Sequence, residues 1–461
     1  MNLINNFKRD IKITLKEQKG HWNLFIWMFL YSLIPACWVL VRALVITRYM
    51  SANVDTYVQW DYLNIMLEVI QETIILPLFW WFGRLIVNKK EDLNKVREVY
   101  LITFAIYMVI ISILTIFVGD LVNVMGSDKG YEQRIFFSLQ LWSKIPAILS
   151  GVSIVVLLNL KNYKGFLVLL ISKLLISILF DFTLANNYVF DNNYIGLGLS
   201  SLLAEICLFF VSLMMIAKIF GFKKFFNFKT FNFRIKELTF TKMFWSNASA
   251  SFLFSIINNT FYLFMMGRNM NIASGSDAYW LSNTVIWSWV LMMPNVIFSL
   301  NKSIVSTEIN LNVKKRLILL VEFQILSLVA ILLSFAIFIP TYCKFALFIS
   351  GNNNELTLRS WDIFSKLIWF FLFYASSSTI AAHFNGEGKN WLMAAQAIIC
   401  NLLTFIPFII LHSIGAIEYS VEILTFMFGF SLLVSWVIGL VFIVMFMVNK
   451  RNEETKIKKR I

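Results

Sequence analysis

Charge is scarce in this chain: Asp, Glu, Lys and Arg make up 14% of its 461 residues, against about 25% in soluble globular domains. Apolar residues reach 59% and mean hydropathy is +0.73. A water-soluble globule is excluded, because apolar surface on this scale is accepted only by a bilayer. Cysteine is also scarce. Cys37, Cys207, Cys343 and Cys400 lie within or beside apolar stretches, with no CxxC and no Cys/His cluster, so a disulfide framework and a thiolate metal site are excluded and the four read as small core residues. Only His21, His383 and His412 are present, none followed by Asp five residues on as in common acyltransferase motifs. The chain has no P-loop. GEG at 386–388 reads as a turn, and Gly196 and Gly198 are too few for a nucleotide fingerprint. An integral-membrane enzyme is therefore disfavoured, and no metal site or cofactor is expected beyond a coupling ion.

What the chain does have is long apolar runs. Windows of about 20 apolar residues predict an all-α integral membrane protein with twelve transmembrane helices, at 22–47, 57–86, 98–119, 134–158, 165–185, 194–217, 243–266, 278–300, 317–342, 363–383, 390–412 and 420–448. The first run is too long for a signal-peptide core and lacks a small-residue cleavage site, so it is expected to remain. Of the 40 Lys and Arg, 30 fall in the leading segment, the even-numbered loops and the tail, six in the odd-numbered loops and their flanks, and four within spans. That alternation places both termini in the cytoplasm. The net charge of +14 accordingly meets lipid head groups, and no nucleic acid partner is expected. The abundance of Phe, Ile, Asn and Lys is that of an AT-rich bacterial genome, and the expected location is the bacterial inner membrane.

The most basic loop, 218–242, bisects the chain and reads as a cytoplasmic linker, its alternating Phe and Lys also fitting an amphipathic segment on the inner surface. It separates an N-lobe, 1–217, from a C-lobe, 243–448, followed by a basic tail, 449–461. The halves resemble each other: QETIILPLFWWFGR carries Pro77 in the second span and WSWVLMMPNVIFSLNK carries Pro294 in the eighth. Six helices per lobe return the chain to its starting side, so the lobes are expected to be parallel repeats about an axis along the membrane normal, a plan that places substrate between lobes that rock.

Ionisable residues within spans cost roughly 2.5–3.5 kcal/mol each at a helix centre and mark function. The first half holds Arg42, Asp61, Glu68, Glu72, Lys144, Lys173, Asp181 and Glu205; the second only Glu322 and Lys366, the latter near enough to an end to snorkel. At about 100° per residue, Glu68 lies about −20° and Glu72 about +20° from Asp61, one carboxylate stripe along the second helix. Asp61 is within two turns of the outer end, the place of an interfacial residue. Glu72, roughly 22 Å into the span, is deep enough to carry a proton, since burial penalises a charged carboxyl. Asp181 and Arg42 form a second pair of interest: alone, the Asp binds a proton or Na⁺; paired with Arg, it stays ionised as a structural tie. Asn247, Ser251, Ser255, Asn258 and Asn259 form a polar stripe on the seventh span, and Tyr374 with Ser376, Ser377, Ser378 and Thr379 on the tenth, either lining a cavity or packing helices. Trp80 and Trp81 offer π faces to a cation.

The stretch GRNMNIASGSDAYWLSNTVIWSWVLMMPNVIFSL at 267–300, with Tyr279, Trp280, Asn283, Ile286, Trp287, Trp289 and Pro294, resembles a segment of bacterial multidrug and toxic compound extrusion (MATE) transporters. QETIILPL running into NKKEDLNKVR, and FNGEGKNWLMAAQAIICN at 384–401, are similar to the same group. The resemblance implies a V-shaped twelve-helix exporter driven by Na⁺ or H⁺ that expels amphipathic, often cationic compounds. It matches the fifth-helix aspartate used for cation coupling to Asp181 in SILFDF. The usual asparagine four residues earlier is Ser177 here, and the first-helix aspartate position holds Arg42.

Two functions follow as expectations. The first is a secondary active exporter in which Asp181, Glu72, Glu68 and Arg42 handle H⁺ or Na⁺, and Asp61, Ser177, Glu205, Asn247, Ser251, Ser255, Asn258, Asn259 and Tyr374 line the substrate cavity. The second is a flippase of lipid-linked oligosaccharide precursors from the same superfamily, with Arg42, Lys144 and Lys173 taking a pyrophosphate. A passive channel is disfavoured by the two-lobe repeat. The expected partners are a small-molecule substrate and the bilayer, with the chain a monomer.

Overall fold

A computed structural model describes residues 19–49, 54–87, 93–124, 130–160, 162–185, 193–227, 242–270, 273–307 and 312–458. Twelve rods follow in chain order. In the first half they are α1 Lys19–Tyr49, α2 Val54–Val87, α3 Leu93–Ile116, α4 Tyr131–Asn159, α5 Tyr163–Leu184 and α6 Asn193–Phe220. In the second half α7 is Lys242–Tyr262, running into a wide turn at Leu263–Asn269, and α8 comprises Ser276–Val285, Ile286–Val290 and Met292–Thr307. Then come α9 Val313–Ile349, α10 Asn354–Glu387, α11 Asn390–Ser413 and α12 Val421–Lys458. Among the described residues, ten helices are long and apolar enough to cross a membrane and the bent α8 pair makes an eleventh, while α1 carries a shorter apolar stretch, Ser32–Val45. Of the linker at 218–242, α6 runs to Phe220 and a short turn, Phe222–Phe225, follows; 228–241 lie outside the described residues. α12 extends ten residues beyond the expected end of the last span, to Lys458.

Local sequence explains the starts and bends. Asn162, Asn312 and Asn353 cap α5, α9 and α10, each side-chain oxygen accepting from a backbone N–H three residues on at 2.9–3.0 Å. Pro294 has no N–H and its ring crowds the carbonyl of Val290, four residues back. The helix answers with a π-helical turn at Ile286–Val290 and a bend of 53° between Ser276–Val290 and Met292–Ser306.

The two halves are built alike. α1 packs on α5 as α7 does on α11; α2 on α4 as α8 on α10; α4 on α6 as α10 on α12; α3 on α4 as α9 on α10. Between the halves, α1 meets α8 and α2 meets α7, the reciprocal pairing of parallel repeats about an axis along the membrane normal, and α2 also meets α8. Core residues such as Phe136, Phe137, Leu197, Tyr279 and Phe364 are fully buried, whereas Ile113, Leu175, Ile325 and Val444 stand exposed on outer faces, as expected where the surrounding solvent is hydrocarbon.

The lobes approach closely at one end. Gly83 of α2 lies against Ser306 of α8, where an added Cβ would stand 2.8 Å from its Oγ. Gly388, in the left-handed conformation with φ +69°, lies against the Trp80 indole. Trp80 and Trp81 are thereby built into the core at 7% exposure each, so they offer no face to a ligand. The expected π faces are supplied elsewhere.

Candidate functional site

A cavity of about 780 Å³ lies between the lobes, walled by α1, α2, α4, α5 and α6 on one side and by Tyr262 and α8 on the other. Nine ionisable side chains reach it: Asp61, Glu68, Glu72, Asp181 and Glu205, with Arg42, Lys144, Lys173 and Lys302. Ser177 also lines it. The carboxylate stripe of α2 does face one space, because the three residues share a helix face that α4 and α7 do not cover completely. Asp61 is part of the wall rather than an interfacial residue, its Oδ2 accepting from Trp280 Nε1 of α8 at 3.2 Å. Glu68 accepts from Asn64 at 3.3 Å, and Glu72 accepts from the Ser255 hydroxyl of α7.

Arg42 and Asp181 share a corner without pairing. Asp181 Oδ2 accepts from Trp38 Nε1 at 3.2 Å and Oδ1 from the Ser200 hydroxyl. The Arg42 guanidinium donates to the Ser201 hydroxyl and, at 3.5 Å, to the Leu197 carbonyl, and lies 5.0 Å from the Trp38 ring centroid. Ser201 also accepts from Gln140 at 2.9 Å. Neighbouring serines of α6 thus hold the two charges apart, one taking the anion and the other the cation. Lys173 and Glu205 form an ion pair at 3.6 Å.

Six expected cavity residues lie off the wall. Ser251 accepts from Asn390 of α11 at 2.7 Å and the Asn247 carbonyl from the same amide at 3.5 Å. Asn258 accepts from Asn401 at 3.1 Å, Asn259 donates to the Ile65 carbonyl at 3.1 Å, and Ser255 is taken by Glu72. The α7 stripe therefore joins helices, since its face points at α11 and α2. Tyr374 sits in an aromatic cluster, 5.1 Å from Trp287 and 5.7 Å from Phe371 between ring centroids.

Sequence reasoning missed Lys302. Asn301-Lys302 after an apolar run reads as a helix end, yet α8 continues to Thr307 and carries Lys302 into the wall; the signal was the apolar pair Ile304-Val305 beyond it. It missed Trp38 as well, and it quoted Trp280 and Trp287 without placing them; all three line the cavity, the π-helical turn carrying Trp287. Trp60, 5.6 Å from Lys144 Nζ, completes the ring surface.

No family model and no curated protein matches the chain. Solved structures do. A multidrug resistance MATE family transporter of the MOP superfamily, in its outward-facing conformation, superposes with a TM-score of 0.77 at 12% identity, covering 94% of this chain and 96% of that one. The chain has the MATE fold. A MOP superfamily transporter from Pyrococcus furiosus, described as having a binding pocket of reversed polarity that suggests a different function, aligns at a TM-score of 0.76 and 13% identity over 94% of this chain and 96% of its own. A MATE structure in a bent conformation gives 0.70 at 13% identity, covering 95% and 97%. In the MATE fold of this chain the charged cavity lies between the two lobes.

Proposed function

We propose that the protein is a secondary active transporter that exports amphipathic small molecules across the bacterial inner membrane by alternating access, with both termini cytoplasmic. The observation that carries this reading is the cavity: it is walled by both lobes, and it gathers nine ionisable side chains at membrane depth together with the rings of Trp38, Trp60, Trp280 and Trp287. Such groups are too costly in a membrane interior to serve packing alone. Asp181, Glu72 and Glu68 are the coupling groups, exchanging H⁺ or Na⁺. Neutralising a carboxylate removes much of its hydration requirement and so favours a closed, dry cavity over an open one. Arg42 keeps Asp181 within a polarised corner without consuming it in an ion pair. The lipid-linked precursor flippase remains the second reading, supported by four basic side chains in the wall.

The test is transport in proteoliposomes under imposed pH or Na⁺ gradients, using ethidium as a lipophilic cation and 8-anilinonaphthalene-1-sulfonate as a lipophilic anion. Gradient-driven movement of either dye, lost in Asp181→Asn or Glu72→Gln, is the expected result and identifies the ion. Absence of movement under both gradients would overturn the coupled-exporter reading and leave the flippase.

A further inference from the structure

The hydrogen bonding of the cavity wall is lopsided. Every one of its five carboxylates already has a donor: Asp61 from Trp280, Glu68 from Asn64, Glu72 from Ser255, Asp181 from Trp38 and Ser200, and Glu205 from Lys173. Two of the four cations are likewise engaged, Arg42 by Ser201 and Leu197 and Lys173 by Glu205. The other two are not. Lys144 of α4 and Lys302 of α8 line the cavity, and neither forms a hydrogen bond or ion pair with the described residues. Each instead sits over a ring, Lys144 Nζ at 5.6 Å from Trp60 and Lys302 Nζ at 6.0 Å from Phe79. An ammonium group has three donors, so the wall offers a ligand two cations with no hydrogen-bond or ion-pair partner among the described residues, whereas each carboxylate already has at least one donor or ion-pair partner.

We infer that the transported molecule carries an acidic head group, phosphate or carboxylate on an apolar body, and that Lys144 and Lys302 are the residues that select it. This rests on the transporter reading above and names the substrate class of that site. The two lysines belong to opposite lobes, α4 to the first and α8 to the second. A head group that passes from one to the other therefore exchanges a contact with one lobe for a contact with the other. Trp60 and Phe79 lie 19 positions apart on α2, roughly 28 Å of helix at 1.5 Å per residue, which makes the lysines successive stations along the cavity. The carboxylates that face them, Glu68, Glu205 and Asp61 near Lys144 and Glu72 near Lys302, repel a second anion and leave room for one head group at each station. The rings beside each ammonium accommodate the apolar body.

The experiment is thermal unfolding of the purified protein in phosphatidylcholine nanodiscs with octyl phosphate or octylammonium added, for the parent chain, Lys144→Met, Lys302→Met and Lys144→Arg. Octyl phosphate is expected to raise Tm in the parent and octylammonium to leave it unchanged. Apparent affinity for octyl phosphate should fall about ten- to a hundredfold in each methionine variant, the scale of one charge-assisted hydrogen bond, and return in Lys144→Arg, which keeps the charge. A second arm places dioleoyl phosphatidic acid in the disc: a lysine-dependent rise there assigns the anion to the bilayer, and a rise with octyl phosphate alone assigns it to water, both supporting the inference. Stabilisation by octylammonium in place of octyl phosphate, or an octyl phosphate effect unchanged in both methionine variants, overturns it. The dye-flux assay reports separately on transport, so flux without lysine-dependent binding removes the anion while keeping the transporter, and lysine-dependent binding without flux does the reverse.

Discussion

The two lobes share one pattern of helix packing and differ in what they bury. In the first, the α1, α5 and α6 corner holds Arg42 and Asp181, and α2, α4, α5 and α6 turn Asp61, Glu68, Glu72, Lys144, Lys173 and Glu205 towards the cavity. In the second, the corresponding helices hold chiefly neutral groups that bond one another. Asn390 donates to Ser251 at 2.7 Å, Asn401 to Asn258 at 3.1 Å, Gln396 to Ser435 at 2.9 Å, Ser376 to Gln324 at 2.7 Å and Trp436 to Ser376 at 2.8 Å. Neutral bonds within a bilayer contribute packing energy with little desolvation cost, while ionised groups need water or a partner. On the proposed reading the second lobe is chiefly a scaffold and the first carries the chemistry, with Lys302 the one charged side chain that the described residues of α7–α12 bring to the cavity wall. Topology fixes where helices meet, and a small number of side chains decide which half lines the cavity with charge.

The largest effect that would sharpen this contrast is on coupling. Asp181→Asn keeps an oxygen that can accept from Trp38 and gains an amide that can donate to the Ser200 hydroxyl, but removes the charge, so gradient-driven efflux is expected to fall at least about tenfold while Tm changes little. Normal efflux from that variant would remove the first lobe's distinction. The second lobe's buried ion pair should behave oppositely. Arg316 and Glu387, 8% exposed each, are in contact between α9 and α10, off the cavity wall. Glu387→Ala removes the carboxylate that faces a buried guanidinium and should cost up to about 3–5 kcal/mol of stability, read as a lower Tm. Replacing both partners with Met should restore most of it, because it removes the buried charge along with its counter-ion. At the close approach of the lobes, Gly83→Val places atoms within about 3 Å of Ser306; overpacking of this kind costs about 1–3 kcal/mol. Transport is expected to slow several-fold, with partial rescue by Ser306→Gly, since the Ser306 carbonyl, also 3.0 Å from the added Cβ, remains.

Much of the fold was legible in the sequence, because a bilayer imposes one strong rule, an apolar helix long enough to cross, and the charge alternation checks it. The helical stripe of Asp61, Glu68 and Glu72 was legible for the same reason, since 3.6-residue periodicity fixes which residues share a face. Which face meets a cavity is a tertiary property. The Asn247, Ser251 and Asn258 stripe has the same periodicity as the acidic one, yet α11 covers it with Asn390 and Asn401, residues about 143 positions away in the chain. Lys302 was hidden by an apparent helix end, and Trp80 by the glycine turn at 388 that packs on it.

The smallest effect gives the strictest test of the contrast. Asn390→Ala removes the donor that joins α11 to Ser251 and the Asn247 carbonyl, and interhelical bonds of this kind average about 0.6 kcal/mol. A fall in Tm of a degree or two is therefore expected, with dye flux and octyl phosphate affinity unchanged, because none of the three residues reaches the cavity. Lys144→Met on the other lobe should reverse that pattern, lowering affinity with little loss of Tm. If Asn390→Ala instead altered affinity or flux at constant Tm, the neutral stripe of α7 would belong to the transport path, exposed when the lobes move, and the division into a working lobe and a scaffold would fail.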